Sequence, residues 1–168
     1  MFVAAWLPNT LSLDYSPCLS SGKEIRCEEI ADSSEVLEAF RRNRNNSAID
    51  YLYLAAMDDM TDDVLDEIMG IVASAASHNL NFVFFSRLPK LERVPAALRH
   101  FDQLRELYVE YNDQLKILPS GSMVFSSNSL TSLSCKYNPN LAVIEEGAFQ
   151  GRSTNESSAI KWWNGFSR

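Results

Sequence analysis

The stretch from Leu104 to Phe149 states one pattern twice. The first pass places Leu104, Leu107, Val109, Asn112, Leu115, Leu118 and Phe125; the second places Leu130, Leu133, Cys135, Asn138, Leu141, Ile144 and Phe149. The second start lies 26 residues after the first, and the internal offsets agree through Leu118 and Ile144. A unit of this size, with leucines three and two apart followed by asparagine, cannot bury its own apolar side. It must stack on a neighbour of the same kind.

This is the pattern of a leucine-rich repeat. Leu104, Leu107 and Val109 are expected to point inward from a short strand and the turn before it. Asn112 follows the strand, where a side-chain amide meets turn backbone groups that have no sheet partner. Leu115 and Leu118 fill the wedge behind, and a phenylalanine supports the far side. Two earlier units are less regular. Ile49, Leu52, Leu54, Met57 and Met60 form one; Leu80, Val83, Phe85, Leu88, Leu91 and Val94 form the next, with Leu88 where asparagine is expected. Pro95 matches Pro119, and Phe101 matches Phe125. The unit starts, Ile49, Leu80, Leu104 and Leu130, are spaced 31, 24 and 26 residues apart. Loops and helices on the convex side absorb the variation. The expected fold class is α/β: a solenoid of about four repeats, with short parallel strands on the concave face, helices and loops on the convex face, and an N-terminal cap.

Residues 1–16 have no period and read as a leader or loose arm. The apolar run Met1–Leu7 ends at Pro8 and lacks a preceding lysine or arginine, so it reads as a poor or truncated signal peptide. Residues 17–48 read as the cap. Glu24 to Cys27 makes a short strand, and Asp32 starts a helix, with Glu35 completing a capping box. Val36, Leu37 and Phe40 share a face of that helix, and Arg41, Arg42 and Arg44 suit its negative end. Residues 49–151 hold the repeats. Within them, Thr61 caps a second, longer helix with Asp62 and Asp63 in its first turn and an apolar stripe from Val64 to Ala76. Residues 152–168 do not continue the period and read as an aberrant or truncated tail.

Three cysteines admit two arrangements. Cys18 and Cys27, nine apart and ahead of the repeats, suit a short-loop disulfide, with Cys135 a buried free thiol in the place of Val109. Three reduced cysteines would instead suit a cytosolic protein. Sequons at Asn45 and Asn155 are candidate glycosylation sites, relevant if the chain is exported.

Ser16-Pro-Cys18, Ile25-Arg-Cys-Glu-Glu-Ile30, Glu38-Ala-Phe40, Tyr137-Asn-Pro-Asn-Leu141 and Ile144-Glu-Glu-Gly-Ala-Phe-Gln-Gly151 together resemble one family. It is the secreted arthropod leucine-rich-repeat proteins that include the non-catalytic subunit of decapod luciferase (oplophorus-luciferin 2-monooxygenase). The resemblance covers roughly residues 16–151. It implies a secreted, non-enzymatic binding or stabilising subunit, because catalysis in that luciferase resides in another chain.

The residues themselves offer little chemistry. His78 and His100 lack a neighbouring cysteine, histidine or carboxylate at ligand spacing. There is no nucleophile elbow and no phosphate loop. Asp58-Asp-Met-Thr-Asp-Asp63 matches an acid pattern that binds magnesium-diphosphate, but that use needs facing helices around a large cavity, and acids at a helix N-terminus are the simpler reading. No catalytic residue, metal or cofactor is expected. A net charge of −7 with no basic stripe argues against nucleic acid, and no apolar run approaches the roughly 20 residues of a membrane span.

A protein partner remains. Strand side chains alternate, so residues between the inward leucines face out. One column is Tyr51, Phe82, Glu106 and Ser132; the central one is Tyr53, Phe84, Tyr108 and Ser134; after the strands come Ala56, Arg87, Tyr111 and Tyr137. Seven exposed aromatics suit a binding hot spot, though tyrosine and phenylalanine also stack simply because strands favour them. Arg87, Arg105, Glu106, Glu110 and Lys136 form the polar rim. The expected function is partner binding through this face by a secreted accessory subunit. The alternatives are an intracellular leucine-rich scaffold or a fragment of a leucine-rich receptor ectodomain.

Overall fold

The computed structural model describes residues 13–122 and 130–148, and the backbone of 160–161. Phe125, Phe149, Asn155 and the apolar run Met1–Leu7 lie outside the described residues.

Alternation of apolar and polar residues makes the strands. Ile25 and Cys27, Leu52 and Leu54, Val83 and Phe85, and Leu107 and Val109 are all buried, and the residues between them are not. These lie in β2 (Glu24–Glu28), β3 (Tyr51–Ala55), β4 (Phe82–Ser86) and β5 (Glu106–Glu110). An antiparallel hairpin strand, β1 (Leu19–Ser21), precedes β2. After β5 come β6 (Ile117–Leu118), β7 (Ser132–Ser134), β8 (Val143–Ile144) and β9 (Ile160–Lys161). The main sheet runs β1-β2-β3-β4-β5-β7-β9, and every pairing after the first is parallel. A second sheet pairs β6 with β8. The architecture is therefore mixed α/β with a mostly parallel sheet.

Two helices join strands on the core side. α1 (Ser33–Arg42) lies between β2 and β3, and α2 (Asp62–Ala76) between β3 and β4. Val36 and Phe40 of α1 and Leu65, Ile68, Met69 and Val72 of α2 enter the same apolar core as the strand residues. Burying a side chain of that size is worth roughly 1.5–3 kcal/mol, so the stripe on α2 holds the crossover against the sheet. Asp32 caps α1 as expected, its carboxylate accepting the Ser34 N–H and hydroxyl at 2.8 and 2.6 Å. Thr61 caps α2 through Val64 N–H at 3.4 Å.

The turns after β2, β3, β4, β5 and β7 follow one geometry. Glu29, Ala56, Arg87, Tyr111 and Tyr137 all have φ between 52° and 58°, in the left-handed region. None is glycine and none is β-branched. Such a residue costs on the order of 1 kcal/mol. In return its amide turns sideways and keeps the ladder going. Ala56 N–H meets Ser86 C=O at 2.9 Å, Arg87 meets Glu110 at 3.3 Å, and Tyr111 meets Lys136 at 3.2 Å.

Two expectations need correction. The segment up to residue 16 is not all a loose arm: Tyr15 is buried, packs edge-on to Phe40 at 5.2 Å, and its hydroxyl accepts from Asn46 at 3.1 Å. Arg42 and Asn43, at the end of α1, donate to the carbonyls of Ser16 and Asp14 and fasten the same segment. Ile144, expected inside with Leu118, is 44% exposed. It lies on β8, the outer strand of its two-stranded sheet, where no described residue covers it.

Candidate functional site

The sheet has a core face and an open face, and the open face carries the candidate site. Strand register sets out its rows. Glu24, Tyr51, Phe82, Glu106 and Ser132 are successive partners across β2, β3, β4, β5 and β7; so are Arg26, Tyr53, Phe84, Tyr108 and Ser134. The two columns expected from alternation are thus in register, each extended by a residue of β2.

Five rings make one cluster. Phe82 is its hub, with centroids 6.0 Å from Tyr51, 4.8 Å from Tyr53 and 5.4 Å from Tyr108. Phe84 bridges Tyr53 at 5.9 Å and Tyr108 at 6.2 Å. The tilts run from 33° to 49°, within the range aromatic pairs favour over face-to-face overlap. Packing together half-buries these rings, Tyr51 excepted, which stays 43% exposed. Burial, helped by the Glu24 charge, raises the Tyr53 phenol above its usual pKa.

Tyr111 and Tyr137 stand apart as a second pair. Their rings stack at 4.4 Å and 16°, and they are 48% and 60% exposed. They rise from the left-handed turns, as does the exposed Arg87. Lys136 is half-buried. Glu106 accepts the Tyr108 hydroxyl at 2.9 Å, and Glu110 accepts the Ser134 hydroxyl.

The same alternation runs through the cap strand. Glu24, Arg26 and Glu28 alternate with Ile25 and Cys27, so they belong to the open face. Arg26 lies 4.2 Å over the Tyr53 ring, and its guanidinium reaches Glu24 at 3.0 Å and Glu28 at 3.6 Å.

Two acids of the run Asp58 to Asp63, Asp59 and Asp62, serve the backbone. Both Asp59 oxygens accept Ser33 N–H, at 3.0 and 2.9 Å, at the start of α1. Asp62 accepts Glu92 N–H at 2.9 Å and, with Asp66, holds Arg93. Asp58 is exposed. His78 pairs with Asp102 at 2.8 Å at the surface. No group of three or more metal-ligating side chains occurs among the described residues.

Cys18 and Cys27 form the disulfide, which is compatible with an extracellular location, and Cys135 is a buried free thiol. Burial pushes that thiol up to about 12, with a smaller contribution from Glu110. Asn45 is exposed, as a glycan acceptor must be. No helix among the described residues is long and apolar enough to cross a membrane. No family model, curated protein or solved structure matches the chain.

Proposed function

We propose that the chain is a leucine-rich-repeat solenoid that acts, without catalysis of its own, as a secreted accessory subunit binding a protein partner through its open, concave face. The observation carrying this reading is the five-ring cluster of Tyr51, Tyr53, Phe82, Phe84 and Tyr108, aligned by register across three strands. Ring faces of this kind bury much area at low entropic cost, which is why aromatics dominate interface hot spots. The recurrence of inward leucines, left-handed turns and the Asn112–Asn138 pair supports the solenoid. The Cys18–Cys27 bridge and the exposed Asn45 sequon support export. A role like that of the luciferase non-catalytic subunit is what the sequence resemblance adds.

A photo-crosslinking residue placed at Phe84 tests the reading in the protein exported by its own cells. One discrete adduct is expected from Phe84 and none from Ser74, an exposed position on α2. An adduct from Ser74 alone would move the binding surface to the helical side and end the proposal. Mass spectrometry of the same material, with and without reduction, tests export: a bridged Cys18–Cys27 and a glycan on Asn45 are expected.

A further inference from the structure

We propose that the open face receives an arginine side chain of the partner, seated on Tyr108 and Phe84 between Glu106 and Glu110. The inference rests on the reading of that face as the binding surface and names the chemistry it selects.

The first strand of the face shows what such a seat looks like when filled. On β2, Glu24 and Glu28 flank Arg26, and the guanidinium lies over Tyr53 at 4.2 Å. The face thus already holds one cation by a ring below and a carboxylate to either side. Register carries the same carboxylate levels three strands on. Glu24 aligns through Tyr51 and Phe82 with Glu106, and Glu28 aligns through Ala55 and Ser86 with Glu110. At the level of Arg26, β5 has Tyr108 instead.

At that end the carboxylates recur without the cation. Among the described residues, no lysine, arginine or histidine pairs with Glu106 or Glu110. Each accepts one hydroxyl, from Tyr108 and Ser134 respectively. An ionised carboxylate offers about four lone-pair sites, so both retain capacity. Both are half-buried, where water screens charge less than at an open surface. Ring faces carry negative potential, so Phe84 and Tyr108 add to the attraction for a cation.

Charge therefore selects a cation, and shape selects which one. A guanidinium is planar, stacks on a ring and presents donors in its plane to acceptors on both sides; an ammonium is a compact, strongly hydrated point charge. The net charge of −7 further disfavours an acidic partner.

The test uses the whole chain and two capped peptides, Gly-Arg-Gly-Arg-Gly and its lysine counterpart, titrated by NMR and read at the amides of residues 106–110. Arginine is expected to bind at least about fivefold tighter than lysine, a margin consistent with added stacking. Glu106→Gln with Glu110→Gln is expected to weaken the arginine peptide about tenfold or more, as loss of charge-assisted bonds does. Glu35→Gln with Asp63→Asn removes the same charge from exposed positions elsewhere and is expected to change affinity less than about twofold, given screening. Equal binding of the two peptides, or equal loss in both double variants, would reduce the effect to general electrostatics and overturn the seat. Self-association abolished by the Glu106→Gln and Glu110→Gln pair would assign the seat to a second copy and overturn it as well. If the Phe84 adduct forms undiminished in that double variant, the arginine seat fails while the binding face stands. Loss of the adduct there, with the fold intact by circular dichroism, supports the seat.

Discussion

Asn138 takes the backbone N–H of Asn112 on its side-chain oxygen at 2.9 Å, while its own amide donates to Val109 C=O at 2.7 Å and Cys135 C=O at 2.9 Å. Asn112 does the same one strand earlier, accepting Leu88 N–H at 3.0 Å and donating to Phe85 C=O at 3.4 Å. Both side chains are buried. Each asparagine therefore satisfies the turn of the strand before it, where no ladder partner exists.

Asn138→Ala should lower stability by about 3 kcal/mol, because each buried backbone group left unpaired costs about 1–3 kcal/mol. Asn140 makes one exposed bond to Asp113 C=O, and Asn140→Ala should stay within about 1 kcal/mol of the parent. Urea midpoints at unchanged m-value measure both. Comparable midpoints for the two variants would show that the buried pair does not hold the turns.

How much of this was legible in the sequence depended on period. Leucines at fixed offsets around Asn112 and Asn138 located the strands, and alternation within them placed Tyr53, Phe84 and Tyr108 in one row, as the register has it. Arg26 lies on a strand that alternates like the later ones, but Ile30 stands where Asn112 and Asn138 mark the repeats, so the offset pattern does not extend to it. Tyr15 escaped because its partners Phe40 and Asn46 are distant in sequence and lie outside any repeat. Ile144 matches Leu118 in offset, but among the described residues β6 is paired on both sides, through Arg93 and β8, whereas β8 is paired with β6 alone. Sequence could also not tell ring stacking from partner binding, since both favour the same residues on the same strands.

The disulfide closes a loop of nine residues' separation at the start of the sheet. Chain-entropy arguments give a bridge of that span about 2–3 kcal/mol. Cys18→Ala with Cys27→Ala should lower the midpoint accordingly. Hydrogen exchange should speed in β1 and β2 first and leave β5 little changed, because only the first strands depend on the tether. Uniform acceleration across β2 and β5 would mean that the bridge supports the whole sheet.

Asp59 binds Ser33 N–H with both oxygens and so ties the turn after β3 to the start of α1. A backbone N–H bonded to a charged acceptor is worth about 1.5–3 kcal/mol. Asp59→Ala should cost about 2 kcal/mol, whereas Asp58→Ala, at an exposed position, should fall within about 0.5 kcal/mol of the parent. Thermal unfolding of the pair measures the contrast. Equal effects would remove Asp59 from the structural account of the acidic run and reopen its chemistry.

Cys135 directly follows Ser134, as Val109 follows its register partner Tyr108, and is buried, with its thiol pushed up to about 12 from 9.0. A free thiol in that environment stays protonated at neutral pH and is a poor nucleophile. It should react with a disulfide reagent at pH 8 only as fast as the protein opens, and at the rate of an ordinary thiol once unfolded. The folded pKa is the higher one, so the neutral thiol's contribution is fully present below pH 9 and is lost as pH rises toward about 12. Over that window the native chain holds the proton longer than the unfolded chain, and stability should fall by up to about 1.4 kcal/mol per pH unit. Cys135→Val places the side chain of Val109 at the matching position and abolishes this component, so the variant should lose less stability than the parent between pH 9 and pH 11. Its stability at pH 7 should stay within about 1.5 kcal/mol, as for a near-isosteric apolar exchange. Parallel loss in parent and variant across the alkaline range would assign the pH dependence to other groups.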